Sequence, residues 1–399
     1  HGLTGDIYME ENTNIPFFKA SINEQDEQAV LSVLRSGWLT TGKECLAFEK
    51  EFAAKVKTQY ALAVNSNTSG MILAMEACGV APGTAVITTP YTFVSTAACA
   101  RHLGADVLFA DIEKDTYSID PDSIEKIFAQ NPQKKIVAIV PVHIGGNVCN
   151  MERIMRIAKE HKVRVIEDCA HSFPSRTKLG YAGSIGDCGI FSFYATKTIT
   201  TAEGGMVTTN DEQLCKRMTQ MRLHGMDRTT WDRYTSPRAS WEYDIIAPGY
   251  KFNMPDILAA LGRTQLSRAD EFDTKRKQHA AFYNRAFADT DFVELPPDSE
   301  GNSWHLYLMR LNNEKLDCDR NTFAKELQQA GIGISVHFIP LFQFTYWKNL
   351  YKDFTAENYP NAMKAYSRTI TLPLWPDMTQ QMLERVVQCV KETGERHHA

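Results

Sequence analysis

Two residues of this 399-residue chain, Lys197 and Asp168, have the types and spacing to act together in catalysis. Asp168 follows the apolar run at 163–166, and Lys197 lies in the turn after a second apolar run at 188–193. Each run predicts a buried strand, and open α/β sheets bind their ligands at the carboxyl ends of such strands. An amine in that position can bond covalently to a carbonyl carbon, and a carboxylate beside it can hold a positive charge. Taken alone, either residue is more often a solvated surface charge.

A short polar run indicates where a phosphate could bind. Residues 65–70 (NSNTSG) lie between a predicted strand and a predicted helix. Small polar side chains at a helix N-terminus favour a bound anion, and here Thr68 and Ser69 would donate to it. The hydroxyl of Ser192 could join them. Ordinary helix capping explains the same run, and for the run by itself capping is the simpler interpretation.

Phe93 and His171 complete a possible site for a flat, charged ligand. Phe93 follows the apolar run at 85–88, where its ring could cover an aromatic ligand, although such a ring more often packs in a core. His171 by itself would be a core histidine. Amine, carboxylate, phosphate donors and flat ring are the four groups that pyridoxal 5′-phosphate (PLP) needs from a protein. Beside such a cationic ring, the pKa of the buried Lys197 amine should fall, which favours its nucleophilic form.

The elements that must position these residues alternate between strand and helix from about residue 60 to 210. Continuous runs rich in Val and Ile, separated by helical stretches, predict a mostly parallel sheet that is buried on both faces. The predicted fold class is therefore α/β. The predicted strands span 61–64, 85–88, 106–109, 136–142, 163–166, 188–193 and 206–209, and the predicted helices span 71–78, 94–103, 151–161 and a stretch that begins near Asp120.

The pattern changes after this region. Residues 226–250 show no hydrophobic period and are predicted as a long loop, and a long helix is predicted at 255–288. We predict an N-terminal arm at 1–14, a large domain at 15–260 and a small C-terminal α/β domain at 261–399. The small domain is predicted to contain strands at 306–311 and 333–336 and helices at 320–330 and 379–391.

Composition argues against several classes of function. The net charge of −5 gives no basic surface for nucleic acid, and no apolar run reaches the length of a membrane span. The N-terminal residues lack the charged-then-apolar order of a signal peptide. The nine cysteines include no CxxC pair, so we expect small buried thiols, a reducing cytoplasm and no metal site.

Short motifs extend along nearly the whole chain, from about residue 15 to 392. They are 36–42 (SGWLTTG), 90–96 (PYTFVST), 141–143 (PVH), 167–171 (EDCAH), 191–193 (FSF) with Lys197, 203–205 (EGG), 224–225 (HG), 249–253 (GYKFN) and 372–376 (LPLWP). As a set they resemble the DegT/StrS-type nucleotide-sugar aminotransferases, which are PLP-dependent enzymes of fold type I. The fold implied by the resemblance is a large PLP-binding domain followed by a smaller C-terminal α/β domain.

The resemblance implies a role for each candidate residue at the cofactor ring. Lys197 would hold the cofactor as a Schiff base, and Asp168 would pair with the pyridine nitrogen. Phe93 would stack on one face of the ring, and His171 would pack near its hydroxyl edge.

The resemblance also implies how the phosphate is held. Ser192, Thr68 and Ser69 would bind it from within the subunit. Asn253 would reach it from a partner subunit, which makes a homodimer part of the active site.

The implied reaction is a two-step transamination. L-glutamate would give up its amino group, and a keto group on a nucleotide-linked sugar would receive it, with Lys197 moving the proton as general acid and base. The subgroup that looks most similar acts on UDP-4-keto sugars, of the UDP-4-amino-4-deoxy-L-arabinose type. Contacts to the sugar or its diphosphate are assigned to four candidates, of which Lys251 could equally be a solvated charge: Tyr250, Lys251, His305 and Tyr307.

Other functions are weighed against this one. Relatives that remove a hydroxyl group carry histidine at the anchor position, so Lys197 argues against them. A branch that aminates cyclitol ketones stays open. A non-catalytic sensor or regulator with this fold would need a basic face or a DNA-binding module, which the charge does not support. Phe342 stands where the family often has a second histidine, and Ala202 where it often has glycine; the first difference leaves the substrate open.

Overall fold

The computed structural model describes residues 14–228, 237 and 241–399. The predicted N-terminal arm lies outside these residues except for Asn14, as do 229–236 and 238–240 of the predicted long loop. The strands are β1 (Tyr60–Val64), β2 (Ala85–Thr88), β3 (Asp106–Phe109), β4 (Ile136–Ile139), β5 (Arg164–Asp168), β6 (Arg176–Thr177), β7 (Gly180–Tyr181), β8 (Cys188–Ser192), β9 (Gly205–Thr209), β10 (Val293–Glu294), β11 (Tyr307–Leu311) and β12 (Thr369–Leu372).

Helices surround these strands. In chain order the described α-helices are α1 (Glu24–Ser36), α2 (Lys43–Val56), α3 (Asn67–Ala77), α4 (Ser95–His102), α5 (Pro121–Gln130), α6 (Met151–His161), α7 (Glu212–Met221), α8 (Asp256–Ser267), α9 (Ala269–Phe287), α10 (Arg320–Gln329), α11 (Thr345–Leu350), α12 (Pro360–Arg368) and α13 (Gln380–Arg396). Local signals set several starts: Asp120 accepts a hydrogen bond from the Asp122 amide at 3.0 Å, and Pro121 occupies the first turn of α5.

A seven-stranded sheet forms the centre of the molecule, in the order β1-β9-β8-β5-β4-β2-β3. Strands β8, β5, β4, β2 and β3 pair in parallel, and β9 runs antiparallel to both of its neighbours. Successive residues of β2 belong to different core clusters, Val86 to one and Ile87 to another, as expected for a strand that is covered on both faces. The predicted α/β class and mostly parallel sheet are confirmed.

The C-terminal part contains a second, three-stranded antiparallel sheet in the order β10-β11-β12. Helices α9 and α10 both pack against α13 beside it. Residues 341–365 leave this sheet and pack on the large one, where Phe354 stacks on Phe109 with ring centroids 4.1 Å apart. The division of the chain at residue 260 stays a prediction.

Two predicted elements are wrong. The long helix at 255–288 is two helices, because Arg268 leaves helical geometry (φ −102°, ψ 5°) and its guanidinium binds Asp26 and the Ser21 carbonyl. The strand at 333–336 is absent from the described structure. Gly333 instead donates its amide to the Ile15 carbonyl at 2.8 Å, and Ser335 forms an isolated bridge with Thr371 of β12. The stretch therefore divides its backbone hydrogen bonds between two neighbours and forms no ladder with either. No described helix is both long and apolar enough to cross a membrane.

Candidate active site

Asp168 and Lys197 face the same site from two neighbouring strands. Asp168 ends β5 and is 4% exposed; its carboxylate accepts hydrogen bonds from Thr96 Oγ1 at 2.7 Å and the Ala170 amide at 3.1 Å. Burial raises the pKa of Asp168, and these donors and the Lys197 charge oppose that rise. Lys197 follows β8, and burial of its amine lowers its pKa to about 8, against the attraction of Asp168. About a tenth of the lysine is therefore the neutral nucleophile at pH 7, far more than for a lysine whose pKa is not lowered.

The phosphate candidates meet at the N-terminus of α3. Ser66 caps this helix by accepting from the Ser69 amide at 3.1 Å, so the capping interpretation is correct for Ser66. Ser192 pairs with Gly205 across the β8–β9 ladder, and a side-chain carbon on Gly205 would come within 2.8 Å of the Asn67 amide nitrogen. This close approach places Ser192 next to the first turn of α3, and the N-terminus of a helix is a suitable cradle for an anion.

Phe93 is a surface ring rather than a core ring. Its side chain is 61% exposed, which makes core packing the wrong alternative for this residue. The nearest described aromatic partner is Phe338, at 6.5 Å between ring centroids. An exposed ring in the loop after β2 is free to cover a flat ligand.

Three histidines surround the lysine. His171 and His305 have ring centroids 4.7 Å apart, and His337 is 6.0 Å from His171. All three line one cleft together with Lys197. Burial lowers the pKa of His171 and of His305 well below the usual range and that of His337 to about 3, and the nearby Lys197 charge adds to each effect. The three imidazoles are therefore neutral at neutral pH.

The tautomer of His171 is fixed by the backbone. Its Nδ1 accepts the Gly145 amide at 3.3 Å, so its Nε2 carries the hydrogen and acts as a donor. His337 is held through Nδ1 by Thr371 Oγ1 at 2.9 Å. The Nδ1 of His305 is buried and has no hydrogen-bond partner among the described residues. His337 is a site residue that the sequence motifs did not single out, since no role was attached to the stretch around it.

Comparison with known proteins identifies the family. The sequence profile of the DegT/DnrJ/EryC1/StrS aminotransferase family matches residues 20–391. The chain belongs to this family. It is 41% identical over 389 residues to the spore coat polysaccharide biosynthesis protein SpsC of Bacillus subtilis, covering 97% of this chain and 98% of that one.

Solved structures agree with this assignment. The putative sugar aminotransferase Spr1654 of Streptococcus pneumoniae in its PMP form is 32% identical, with a TM-score of 0.89 and coverage of 96% of this chain and 100% of that one. Helicobacter pylori PseC, an aminotransferase involved in pseudoaminic acid biosynthesis, is 29% identical with a TM-score of 0.88 and the same coverage. The protein is thus a PLP-dependent sugar aminotransferase of that fold, and the predictions of enzyme class and cofactor are confirmed.

The residues of this aminotransferase fit PLP. When bound, PLP supplies an electron-accepting ring. The chain offers a low-pKa amine in Lys197 and a buried carboxylate in Asp168. It also offers the N-terminal turn of α3, which contains Thr68 and Ser69, and an exposed ring in Phe93. No acidic side chain lies among the residues of that first helical turn, which keeps it suitable for phosphate.

Glu167 and His143 support Asp168 from behind, and the sequence motifs gave them no role. The fully buried Glu167 carboxylate accepts amides of Gly183, Ile185 and Gly186 at 2.6–2.9 Å. His143 accepts the Cys149 amide at Nδ1 and so donates from Nε2 to Glu167 at 2.8 Å. The His143 amide in turn donates to the Asp168 carbonyl at 3.1 Å. This network fixes the end of β5 in place, and it engages both Glu167 oxygens with hydrogen-bond donors.

Asn253 lines a different cleft from Lys197, and Lys251 binds its side chain. Asn253 Nδ2 donates to Thr41 Oγ1 at 2.7 Å, and its Oδ1 accepts from Lys251 Nζ at 2.5 Å. Asn253 and Thr41 line a cleft that also includes Arg222. Within one chain, therefore, Asn253 is placed apart from the clefts that Lys197 lines.

The two tyrosine candidates differ in their surroundings. Tyr250 stacks on Phe252, with ring centroids 4.6 Å apart, near the loop of Asn253. Tyr307 is fully buried in the core of the small sheet, and its hydroxyl donates to Asn284 Oδ1 at 2.8 Å. Tyr307 therefore does not line the cleft of Lys197 and the three histidines, because its ring and hydroxyl are both engaged inside the core.

Proposed function

We propose that the protein transfers the amino group of L-glutamate to a keto group on a nucleotide-linked sugar, with a UDP-4-keto sugar as the expected acceptor. The observation that carries the proposal is the Lys197 amine, with a pKa of about 8, beside the buried Asp168 carboxylate. Family membership supports amino transfer to a sugar. The choice of L-glutamate as amino donor, of UDP as nucleotide and of C4 as the aminated position rests on the resemblance of the sequence motifs.

Lys197 is the proton carrier in this proposal. Because burial keeps its pKa near 8, its amine can take a proton from the amine-bearing carbon and return it at neutral pH. His171 is neutral and its Nε2–H is fixed as a donor, so it can orient the ring hydroxyl or phenolate oxygen of PLP next to the lysine. Neutral histidines also avoid adding positive charge, which would lower the basicity of the lysine further.

A homodimer completes the proposed site. Asn253 is held by Thr41 and Lys251 with one amide hydrogen left to donate, and Lys251 adds a cation beside it. Such a donor pair suits a phosphate or diphosphate that a partner subunit presents. We also place the protein in the cytoplasm, which is supported by nine free cysteines in the described chain.

The test is to load the protein with PLP and L-glutamate and offer a panel of UDP-, dTDP- and GDP-linked keto sugars and a cyclitol ketone. Product mass reports amination, and sedimentation reports the dimer. We expect the aminated product from a UDP-linked ketone and a Lys197→Ala variant that forms none. Amination of the cyclitol alone would overturn the assignment of a nucleotide sugar, and an active monomer would overturn the shared site.

A further inference from the structure

Three side chains of different chemistry meet near the C-terminal end of α13, and none of them lines a cleft of Lys197. A carboxylate oxygen of Asp317, the Cys318 sulfur and a ring nitrogen of His397 all lie within 4.8 Å of one another. Cys318 is a free cysteine that is partly exposed, and Asp317 is exposed, so solvent reaches the group. Oxygen, sulfur and imidazole nitrogen are the ligand atoms that Zn²⁺ takes from proteins.

The backbone brings these side chains together through a short antiparallel pairing. Leu316 forms an antiparallel bridge with His398, and the Asp317 amide donates to the His397 carbonyl at 2.9 Å. Asp317 and His397 are therefore opposite each other, and opposite residues of such a pair have neighbouring side chains. Cys318 follows Asp317 directly. The group is thus held by hydrogen-bonded backbone from two segments, and not by flexible side chains alone.

The His397 ring is oriented as in a metal site. Its Nε2 donates to Glu326 Oε1 at 2.7 Å, and Arg396 holds the other oxygen of Glu326 at 2.7 Å. Histidines that bind a metal through one ring nitrogen usually donate the other N–H to a carboxylate in this way. The Nδ1 atom of His397 then faces Asp317 Oδ1, also at 2.7 Å. Glu326 therefore leaves Nδ1 as the nitrogen that can bind a metal.

The electrostatic environment of the Cys318 sulfur is negative. The carboxylates of Asp317, Glu326 and Asp319 all act on this sulfur. Arg396 is bound to Glu326 and offsets part of that charge. A divalent cation beside the sulfur would be attracted by the remaining carboxylates and would stabilise the thiolate.

We propose that Asp317, Cys318 and His397 bind one Zn²⁺ ion, with water in the fourth position. Zinc bonds of about 2.0–2.3 Å place tetrahedral ligand atoms roughly 3.3–3.6 Å apart. Atoms that already lie within 4.8 Å of one another therefore need only small side-chain rotations. The ion takes the place of the hydrogen between Asp317 and His397, and the Cys318 thiol loses its proton to become the thiolate ligand.

The choice of zinc follows from the ligand atoms. A thiolate and an imidazole favour Zn²⁺ over Mg²⁺ and Ca²⁺, which prefer oxygen ligands. The bound ion would fasten the end of α13 to the segment before α10. Its role is therefore structural and separate from amino transfer. A search for CxxC pairs does not find such a site, because His397 and Asp317 are 80 residues apart in the chain.

The test titrates Zn²⁺ into the untagged, PLP-loaded protein in competition with a chelating dye, and repeats the titration with Co²⁺. One ion should bind per chain, and the cobalt form should show a thiolate-to-metal charge-transfer band. Glu326→Ala, which removes only the support of His397, should weaken zinc about tenfold. Cys318→Ser removes a ligand, so it should weaken zinc further and abolish the band. Bound zinc should raise the Tm of the wild type and leave that of Cys318→Ser unchanged.

Two matched variants separate a built site from adventitious binding. His398→Gln removes the neighbouring histidine, whose Nε2 is held by Asp291 at 3.0 Å. Cys215→Ser removes another partly exposed cysteine. Both variants should keep the zinc affinity of the wild type. Equal affinity in the wild type and Cys318→Ser, or a loss in His398→Gln as large as in Cys318→Ser, would overturn the inference. Neither readout uses amination, so these results are independent of the proposed function.

Discussion

Thr96→Val removes the hydroxyl that donates to Asp168 and nearly preserves the shape of the side chain. Thr96 is fully buried and its Oγ1 lies 2.7 Å from Asp168 Oδ2. A hydrogen bond to a charged group contributes about 1.5–3 kcal/mol, against about 0.5–1.5 kcal/mol for a neutral pair. The matched control is Thr88→Val, because Thr88 is equally buried but donates at 2.9 Å to the neutral Val140 carbonyl. At pH 7.5 we expect Thr96→Val to cost about 1 kcal/mol more than the control.

The pH dependence of that difference identifies its cause. The folded pKa of Asp168 is raised by burial, so its contribution to stability falls as pH rises from the unfolded pKa of about 4 through the folded pKa. Losing the Thr96 donor raises the folded pKa further, which extends the loss to higher pH. Denaturant unfolding of the cofactor-free protein, followed by tryptophan fluorescence, should show the excess cost of Thr96→Val shrinking toward acid pH. An excess that is zero at pH 7.5, or constant down to pH 4, would refute the reasoning.

Three further outcomes are expected. Phe93→Ala should change the free energy of unfolding by less than about 0.5 kcal/mol, because the ring is 61% exposed. The same variant should weaken PLP binding several-fold in a spectroscopic titration. A stable variant with unchanged PLP affinity would exclude stacking of this ring on the cofactor. Tyr307→Phe should lose about 0.5–1.5 kcal/mol with its Asn284 hydrogen bond and leave the sugar KM unchanged; a raised KM would restore Tyr307 to the site. The pKa of Lys197 is lowered from 10.5 to about 8, so the stability of the cofactor-free protein should rise as the pH rises from about 8 to 10.5. Lys197→Met should flatten that rise in thermal unfolding scans. An identical pH profile in the variant and the wild type would place the lysine in solvent.

The sheet and the main site residues could be predicted because their signals are local. Val- and Ile-rich runs such as 85–88 are strands wherever helices cover both faces, and Asp168 follows directly from its place at a strand end. The break at Arg268 could not be predicted, because its cause is a contact with Asp26, 242 residues away in the chain. Local helix propensity does not report such a contact.

The errors and omissions at the site have similar origins. His305 and Tyr307 are two apart, which suggests one face of a strand, but Trp304 has a φ of 48° and the chain turns just before β11. The alternation therefore does not extend back to His305, and the two side chains separate. His337 reaches the cleft from a segment without regular structure, so neither period nor motif could place it there.

The central claim is that Lys197 is the amine that holds PLP. The most direct measurement reduces the PLP-loaded protein with borohydride, digests it and maps the added mass by mass spectrometry. The expected result is stoichiometric label on Lys197 and no label at that site in Lys197→Ala. Label on another lysine of the wild type, with Lys197 unmodified, would contradict the account.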